Sequence, residues 1–330
     1  MTPPFPMRAR LAVVLLTACA AFSATSSALA ADKLPAGKNI TLVVPFAPGG
    51  NLDLVARAVA PAFEKALGQT VIVDNRAGAG GAIGAAYVAR SEPDGTTLLV
   101  TTPNAIVVLP RMTKTQYRLA DFKPVGLVAY TSQVVVVQGK SRFTDMKALL
   151  AEMRANPGKV SVAHSGLGTT NQIGILQLEE AAKTTVNQIS YKGSGPALVD
   201  LIGGQVDAMV DQLSSSAGHI ESGAIRALAV MGKDRDPSLP NVPTLREAGL
   251  KDFDSSTTTG LLAAGGTSQA VVDTLNAALR KALDDPDTRA RLAKLRSPAK
   301  PSTPAEWLQQ LERENAGAAE LEKAGKLKSE

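Results

Sequence analysis

From Ile40 to Ala264 short β-branched runs alternate with helical patterns, and few architectures accept that order. Ile40–Val44 is apolar throughout, as a strand buried on both faces is. A loop, Pro45–Gly50, leads into a helical pattern from about Leu52 to Leu67, with Leu52, Val55, Ala56, Val59 and Phe63 on one face and Gly68 placed to end it. Pro61 lies inside and is expected to kink it. Strand Thr70–Val73, glycine-rich loop Gly78–Gly81, a second helix, turn Pro93-Asp94-Gly95 and strand Thr97–Thr102 follow. Strand–helix–strand–helix–strand is the signature of a parallel sheet covered by helices.

The pattern then repeats. Val134–Val137 reads as a strand, and Thr144 as the cap of a helix carrying Met146, Leu149, Leu150 and Met153. Strand Lys159–Ala163 leads to loop His164–Thr170 and a helix. Gly195-Pro196 opens a short helix with proline at its first position, and Gly203-Gly204 closes it. Val206–Val210 and Ala224–Met231 are strands, and Asp234–Pro243 is a connection. Ser268 opens a helix, Thr303-Pro304-Ala305-Glu306 is a capping box, and Lys323–Glu330 is expected to fray. Two α/β units imply two lobes facing each other across a cleft. Open parallel sheets bind ligands beyond the carboxyl ends of their strands, so the loops after Val44, Val73, Thr102, Ala163, Ser190 and Val210 are expected to converge there.

The first thirty residues read as an export signal: Arg8 and Arg10, an apolar run from Leu11 to Phe22, then Ala28-Leu29-Ala30 as a cleavage site. That run is shorter than the ~20 residues of a spanning helix. Cleavage after Ala30 is expected, with a lipid-modified Cys19 as the alternative; either cut takes the chain out of the cytoplasm. Cys19 is the one cysteine, which removes an internal disulfide and a thiol nucleophile from the mature chain. Beyond the signal, Lys plus Arg number 33 against 30 acidic residues, without a basic run interleaved with aromatics, so nucleic-acid binding has no support.

Four segments can carry chemistry. Pro45-Phe46-Ala47-Pro48-Gly49-Gly50-Asn51-Leu52-Asp53 joins a strand to a helix N-terminus, where free N–H groups favour an anion. There Asn51 can cap the helix or donate to a ligand, and Asp53 can complement the helix dipole or accept from an ammonium or hydroxyl; a plain strand–helix turn fits equally well. Gly78–Gly84 departs from a dinucleotide fingerprint because Ile83 stands where the last glycine belongs. In His164–Thr170 a serine nucleophile at Ser165 lacks the G-x-S-x-G elbow, Ala163 holding its first glycine position. Tyr191-Lys192-Gly193 precedes a helix; Lys192 can pair with a carboxylate, or be an ordinary solvated lysine. Two distant histidines make a poor metal site.

In order, these segments resemble the tripartite tricarboxylate transporter receptors, the Bug solute-binding proteins. The resemblance rests on Ile40–Gly50 with Asp53, Val73–Gly81, Pro93-Asp94-Gly95, Tyr191–Ala197, Asp200–Asp207, Arg226–Val230 and Val242–Gly249. It implies a type II periplasmic binding protein, a Venus flytrap of two α/β lobes joined by two crossing strands, each a mixed or parallel sheet with helices on both faces. The implied lobes are residues 31–128 plus 253–330, and 129–252. It also implies ligand contacts from Phe46, Ala47, Pro48, Gly49, Gly50, Asn51, Asp53, Gly80, Gly81 and Thr102, and across the cleft from Ser165, Gly168, Thr169, Tyr191, Lys192, Gly193 and Asp211. The family often has Ser or Thr at position 51, Ser at 164 and His at 172, where this chain has Asn51, His164 and Gln172.

The expected function is capture of a small carboxylate (a di- or tricarboxylate, an aromatic acid or an acidic amino acid) for membrane permease subunits. The protein is expected to be periplasmic, monomeric and without cofactor, metal or catalytic residue. A ligand sensor without a permease and an exported serine hydrolase are the alternatives.

Overall fold

The computed structural model describes residues 33–250 and 255–327; the export signal, Cys19, the cut after Ala30 and the 252/253 boundary lie outside them. Among the described residues are nine strands: β1 Ile40–Val44, β2 Val71–Asn75, β3 Thr97–Thr101, β4 Phe122–Gln138, β5 Ser161–His164, β6 Asn187–Ser190, β7 Ala208–Gln212, β8 Ile225–Val230 and β9 Ser256–Ala264. The helices are α1 Asn51–Leu67, α2 Ala82–Ala89, α3 Pro103–Val107, α4 Leu109–Met112, α5 Met146–Ala155, α6 Thr170–Ala182, α7 Ser194–Ile202, α8 Leu213–Glu221, α9 Gln269–Asp284, α10 Pro286–Lys294 and α11 Pro304–Lys323.

The molecule is a two-lobed α/β protein. Parallel β2–β1–β3 continue into antiparallel β9 and then β4. At seventeen residues, β4 spans roughly 55 Å and serves both sheets. Phe122 through Ser132 pair with β9, while Gln133 through Val137 pair with β7 and Val134 through Gln138 with β8. Parallel β7–β5–β6 complete the second sheet. Periodicity marks only Val134–Val137 of β4 and none of β9. Ser256-Thr-Thr-Thr lacks an apolar alternation, and a partner more than a hundred residues away leaves no local signal.

Each sheet is covered on both faces. Leu42, Val44, Leu98 and Leu261 pack under α1 and α9 (Val55, Phe63, Leu275, Leu279), whereas Val43, Leu99 and Leu262 face the opposite cluster around Val88, Trp307 and Leu311. In the second sheet Val135 and Val137 meet Met146, Leu149 and Ile175, while Val134 and Val136 meet Leu198, Leu201 and Leu213. Side chains alternating along doubly covered strands explain why these strands read as uninterrupted apolar runs.

Local signals largely hold. Gly68 ends α1 in the left-handed conformation, Ser268 caps α9, and Thr303 with Glu306 forms a full capping box on α11. Four details differ. Asp145, not Thr144, caps α5 by accepting from Ala148 N–H. Gly193 precedes α7, so Pro196 occupies its third position, still within the turn whose amides need no partner. The strand read as Thr70–Val73 runs on to Asn75 because Asp74 and Asn75 pair with Val43 and Val44. Lys323–Glu330 is not wholly frayed: Lys326 N–H donates to Leu321 O, and its ammonium reaches Glu180 at 2.9 Å. A single helix, α1, runs through Pro61, which sits on the exposed face where water can satisfy the carbonyl it leaves free.

Candidate functional site

The carboxyl ends of β1, β3, β5 and β7 meet between the sheets. A small cavity of ≈ 30 Å³ lies there, lined by both. From the first sheet come Phe46, Ala47, Gly50, Asn51, Leu52, Asp53 and Thr102; from the second come Ser165, Thr169, Thr170, Asn171, Ser194 and Gln212. A larger outer chamber of ≈ 340 Å³ shares Phe46 and Ser165 with it and is lined by Gly80, Gly81, Tyr191 and Lys192.

The inner wall is built from helix starts. α1 begins at Asn51, α6 at Thr170, α7 at Ser194 and α8 at Leu213, each directly after or at a lining residue. The first-turn N–H groups of a helix have no partners within it, and the aligned peptide dipoles leave about half a positive charge there. Among the described residues no lysine or arginine lines the inner cavity, and Asp53 is the one ionisable residue that does. The Thr170 hydroxyl is buried against it without a hydrogen-bond partner, a cost that a ligand or water would remove.

Behind the wall the polar groups are used up. Asp53 accepts from Gly49 N–H at 3.0 Å, Arg57 Nε at 2.9 Å and Asn75 Nδ2 at 3.0 Å, and so fixes the β1–α1 loop. Asn51 does not cap α1. Its Oδ1 accepts from Ser214 Oγ at 2.7 Å and its Nδ2 donates to Thr259 Oγ1 at 3.2 Å, which ties the first helix to the second sheet's α8 and to β9. Asp211 is fully buried. It accepts from Ser194, Ser215 and Ser216 hydroxyls at 2.6–2.7 Å and from Asn171 Nδ2 at 3.2 Å. Burial pushes its carboxyl above the usual range, against the pull of those hydroxyls. Asp211 therefore orders the starts of α6, α7 and α8 from behind the cavity and does not line it.

The expected contacts divide accordingly. Phe46, Ala47, Gly50, Asn51, Asp53, Thr102, Ser165 and Thr169 line the inner cavity; Gly80, Gly81, Tyr191 and Lys192 line the outer one. Pro48, Gly49, Gly168 and Gly193 line neither and instead make the two halves fit. A Cβ on Gly195 would stand 2.1 Å from Pro48 O, one on Gly80 2.2 Å from Leu167 O, and Ala47 N–H donates to Lys192 O at 2.9 Å. The Tyr191 hydroxyl donates to Asp200, and with burial, the larger cause, this raises it to about 12. Leu52, Thr170, Asn171, Ser194 and Gln212 were not anticipated. Thr169-x-x-Gln172 is the local signal that could have marked the α6 start, since Thr169 accepts from Gln172 N–H; nothing local marks Asn171 or Gln212.

Residues 55–312 match the family described as the tripartite tricarboxylate transporter family receptor. The chain belongs to that family. Among tripartite tricarboxylate transporter receptors and their relatives, BugT of Bordetella pertussis is 39% identical over 277 residues, 82% of this chain and 84% of BugT. The UPF0065 protein of the tcbD-tcbE intergenic region of Pseudomonas sp. (strain P51) is 41% identical over 281 residues, 83% of each chain. Solved receptors superpose closely: the periplasmic binding protein BugD at TM-score 0.84 and 34% identity, over 88% of this chain and 99% of BugD. MatC of Rhodopseudomonas palustris, solved with bound malate, gives 0.82 and 33% over 86% and 98%. A second R. palustris protein, solved with adipate, gives 0.81 and 30% over 86% and 96%. The protein is a solute-binding receptor of this family, whose members are periplasmic binding proteins. No helix among the described residues is long and apolar enough to cross a membrane.

Proposed function

We propose that this receptor closes two lobes over a small carboxylate, held by main-chain amides and hydroxyls, and delivers it to the permease subunits of a tripartite transporter. The carrying observation is the convergence of four helix starts from both sheets on one cavity that no cationic side chain lines. The malate and adipate bound by MatC and its R. palustris relative support a dicarboxylate. Phe46, Gly50, Asn51 and Thr102 meet the anion from residues 31–128 plus 253–330, and the Thr170 hydroxyl with the first-turn amides of α6 and α7 closes on it from 129–252. Support for that division comes from β4, which changes partners between Ser132 and Gln133. The chain acts as a periplasmic monomer after a cut following Ala30.

A cavity of ≈ 30 Å³ has room for about two waters and not for a dicarboxylate. The lobes must therefore part for the ligand to enter, and the ligand bridges them afterwards. A serine-hydrolase reading gains no support at Ser165: its Oγ donates to Asn171 Oδ1 at 3.0 Å, while His164 Nδ1 lies against the Gly166 backbone. Thermal unfolding of the purified protein against dicarboxylates, tricarboxylates, aromatic acids, acidic amino acids and neutral sugars tests the reading. The right acid at a hundred times its Kd should stabilise the fold by ~2.7 kcal/mol. A shift with a sugar, and none with any carboxylate, would falsify the ligand class.

A further inference from the structure

The joining strands have a second face, turned away from the cleft. Thr259 sends its hydroxyl to Asn51 on the cleft side. Thr258 precedes it and so faces the opposite way, where its Oγ1 accepts from Gln310 Nε2 at 2.8 Å. Beside it lies a cavity of ≈ 150 Å³ with an almost wholly polar wall. Asn104, Tyr130, Thr258, Lys300, Gln310 and Glu314 line it.

Two opposite charges share this space. The Lys300 ammonium lies 5.5 Å from the centre of the Tyr130 ring. Glu314 Oε1 accepts from Gln310 Nε2 at 2.8 Å. Burial holds the Glu314 carboxyl above its usual range although the Gln310 hydrogen bond and, less, the fields of Arg313 and Lys300 oppose it, so a cation placed beside it would relieve that strain. Among the described residues Lys300 and Glu314 form no ion pair with each other, although the Lys300 field reaches Glu314. On the measure that gives the inner cleft cavity room for about two waters, this volume holds about ten, enough for a small amino acid.

We propose that this cavity is a second ligand site, which takes a small zwitterion with its carboxylate on Lys300 and its ammonium on Glu314. Asn104 and Gln310 offer amides between the two charges. The occupant touches Tyr130 and Thr258, a directly paired couple of β4 and β9 just before β4 passes into the second sheet. This site does not depend on what the cleft binds.

Saturation-transfer NMR on the purified protein with glycine and β-alanine, against acetate and methylammonium, tests the assignment. The zwitterions should bind and the two half-molecules should not. Lys300→Met and Glu314→Gln should each weaken binding by at least roughly tenfold, the loss of one charge-assisted contact. Ser165→Ala, in the cleft, should leave zwitterion binding intact. Four results overturn the site: no zwitterion binding at millimolar concentration, equal binding of acetate or methylammonium, insensitivity to both charge substitutions, or loss in Ser165→Ala.

Discussion

Asp211 is a buried acid that orders a cavity wall without lining it. Three serine hydroxyls and an asparagine amide converge on it. Removing the acceptor strands several buried donors, each worth ~1–3 kcal/mol when unsatisfied. Asp211→Ala should therefore cost about 3 kcal/mol or more in urea unfolding, an effect seen without any ligand. A ligand-binding role alone would leave the unliganded fold unchanged. His164 makes a second prediction, on pH. Burial lowers its folded value below 6.5, with the Gly166 backbone contact opposing that shift. The folded state thus favours the neutral ring. His164 costs nothing above the unfolded value near 6.5, and stability is lost as the pH falls from there toward the lower folded value. Unfolding free energies at pH 7.5 and 5.5 should differ less in His164→Asn than in the native protein.

At the scale of elements, the β1–α1 loop and the start of α7 fit because both lack side-chain bulk. Gly195 lies against Pro48 O, so a methyl group there forbids the approach seen in this closed arrangement, yet it does not disturb α7 itself. Gly195→Ala should leave the melting temperature of the unliganded protein within a few degrees and weaken the carboxylate at least roughly tenfold, through a smaller closed population. Small-angle scattering should show the variant more extended than the native protein when both are saturated with ligand concentrations that close the native chain. A variant that closes and binds normally would remove loop docking from the mechanism.

For the whole molecule, two kinds of contact hold the halves together. Arg296–Glu221 and Lys326–Glu180 are ion pairs with all four side chains well exposed. Pairs of that kind contribute ~0–1 kcal/mol and are screened by salt. The loop contacts and the Asn51 bridge are buried. Closure should therefore depend on the latter: Lys326→Ala should change ligand affinity less than about fivefold by calorimetry, against the tenfold or greater loss in Gly195→Ala. A larger effect of the lysine would show that the ion pairs, not the loops, govern closure.

Much of the architecture could be read from the residues alone. Apolar β-branched runs, helix caps and glycine turns are local signals, and Ile40–Val44, Gly68 and Thr303–Glu306 behave as short-range physics requires. The loops that meet at the cleft were also visible, because each joins a strand end to a helix start. Folding alone decided which groups in those loops face the cavity. Asn51 is withdrawn from the cap position by Ser214, 163 residues away, and Asp211 is turned inward by three serines of two other helices. The Phe122–Ser132 part of β4 and β9 become strands through pairing with each other, across more than a hundred residues. Local propensity acts over a few residues, whereas a buried polar group is placed by whichever distant partner satisfies it, and that partner exists only once the sheets have come together.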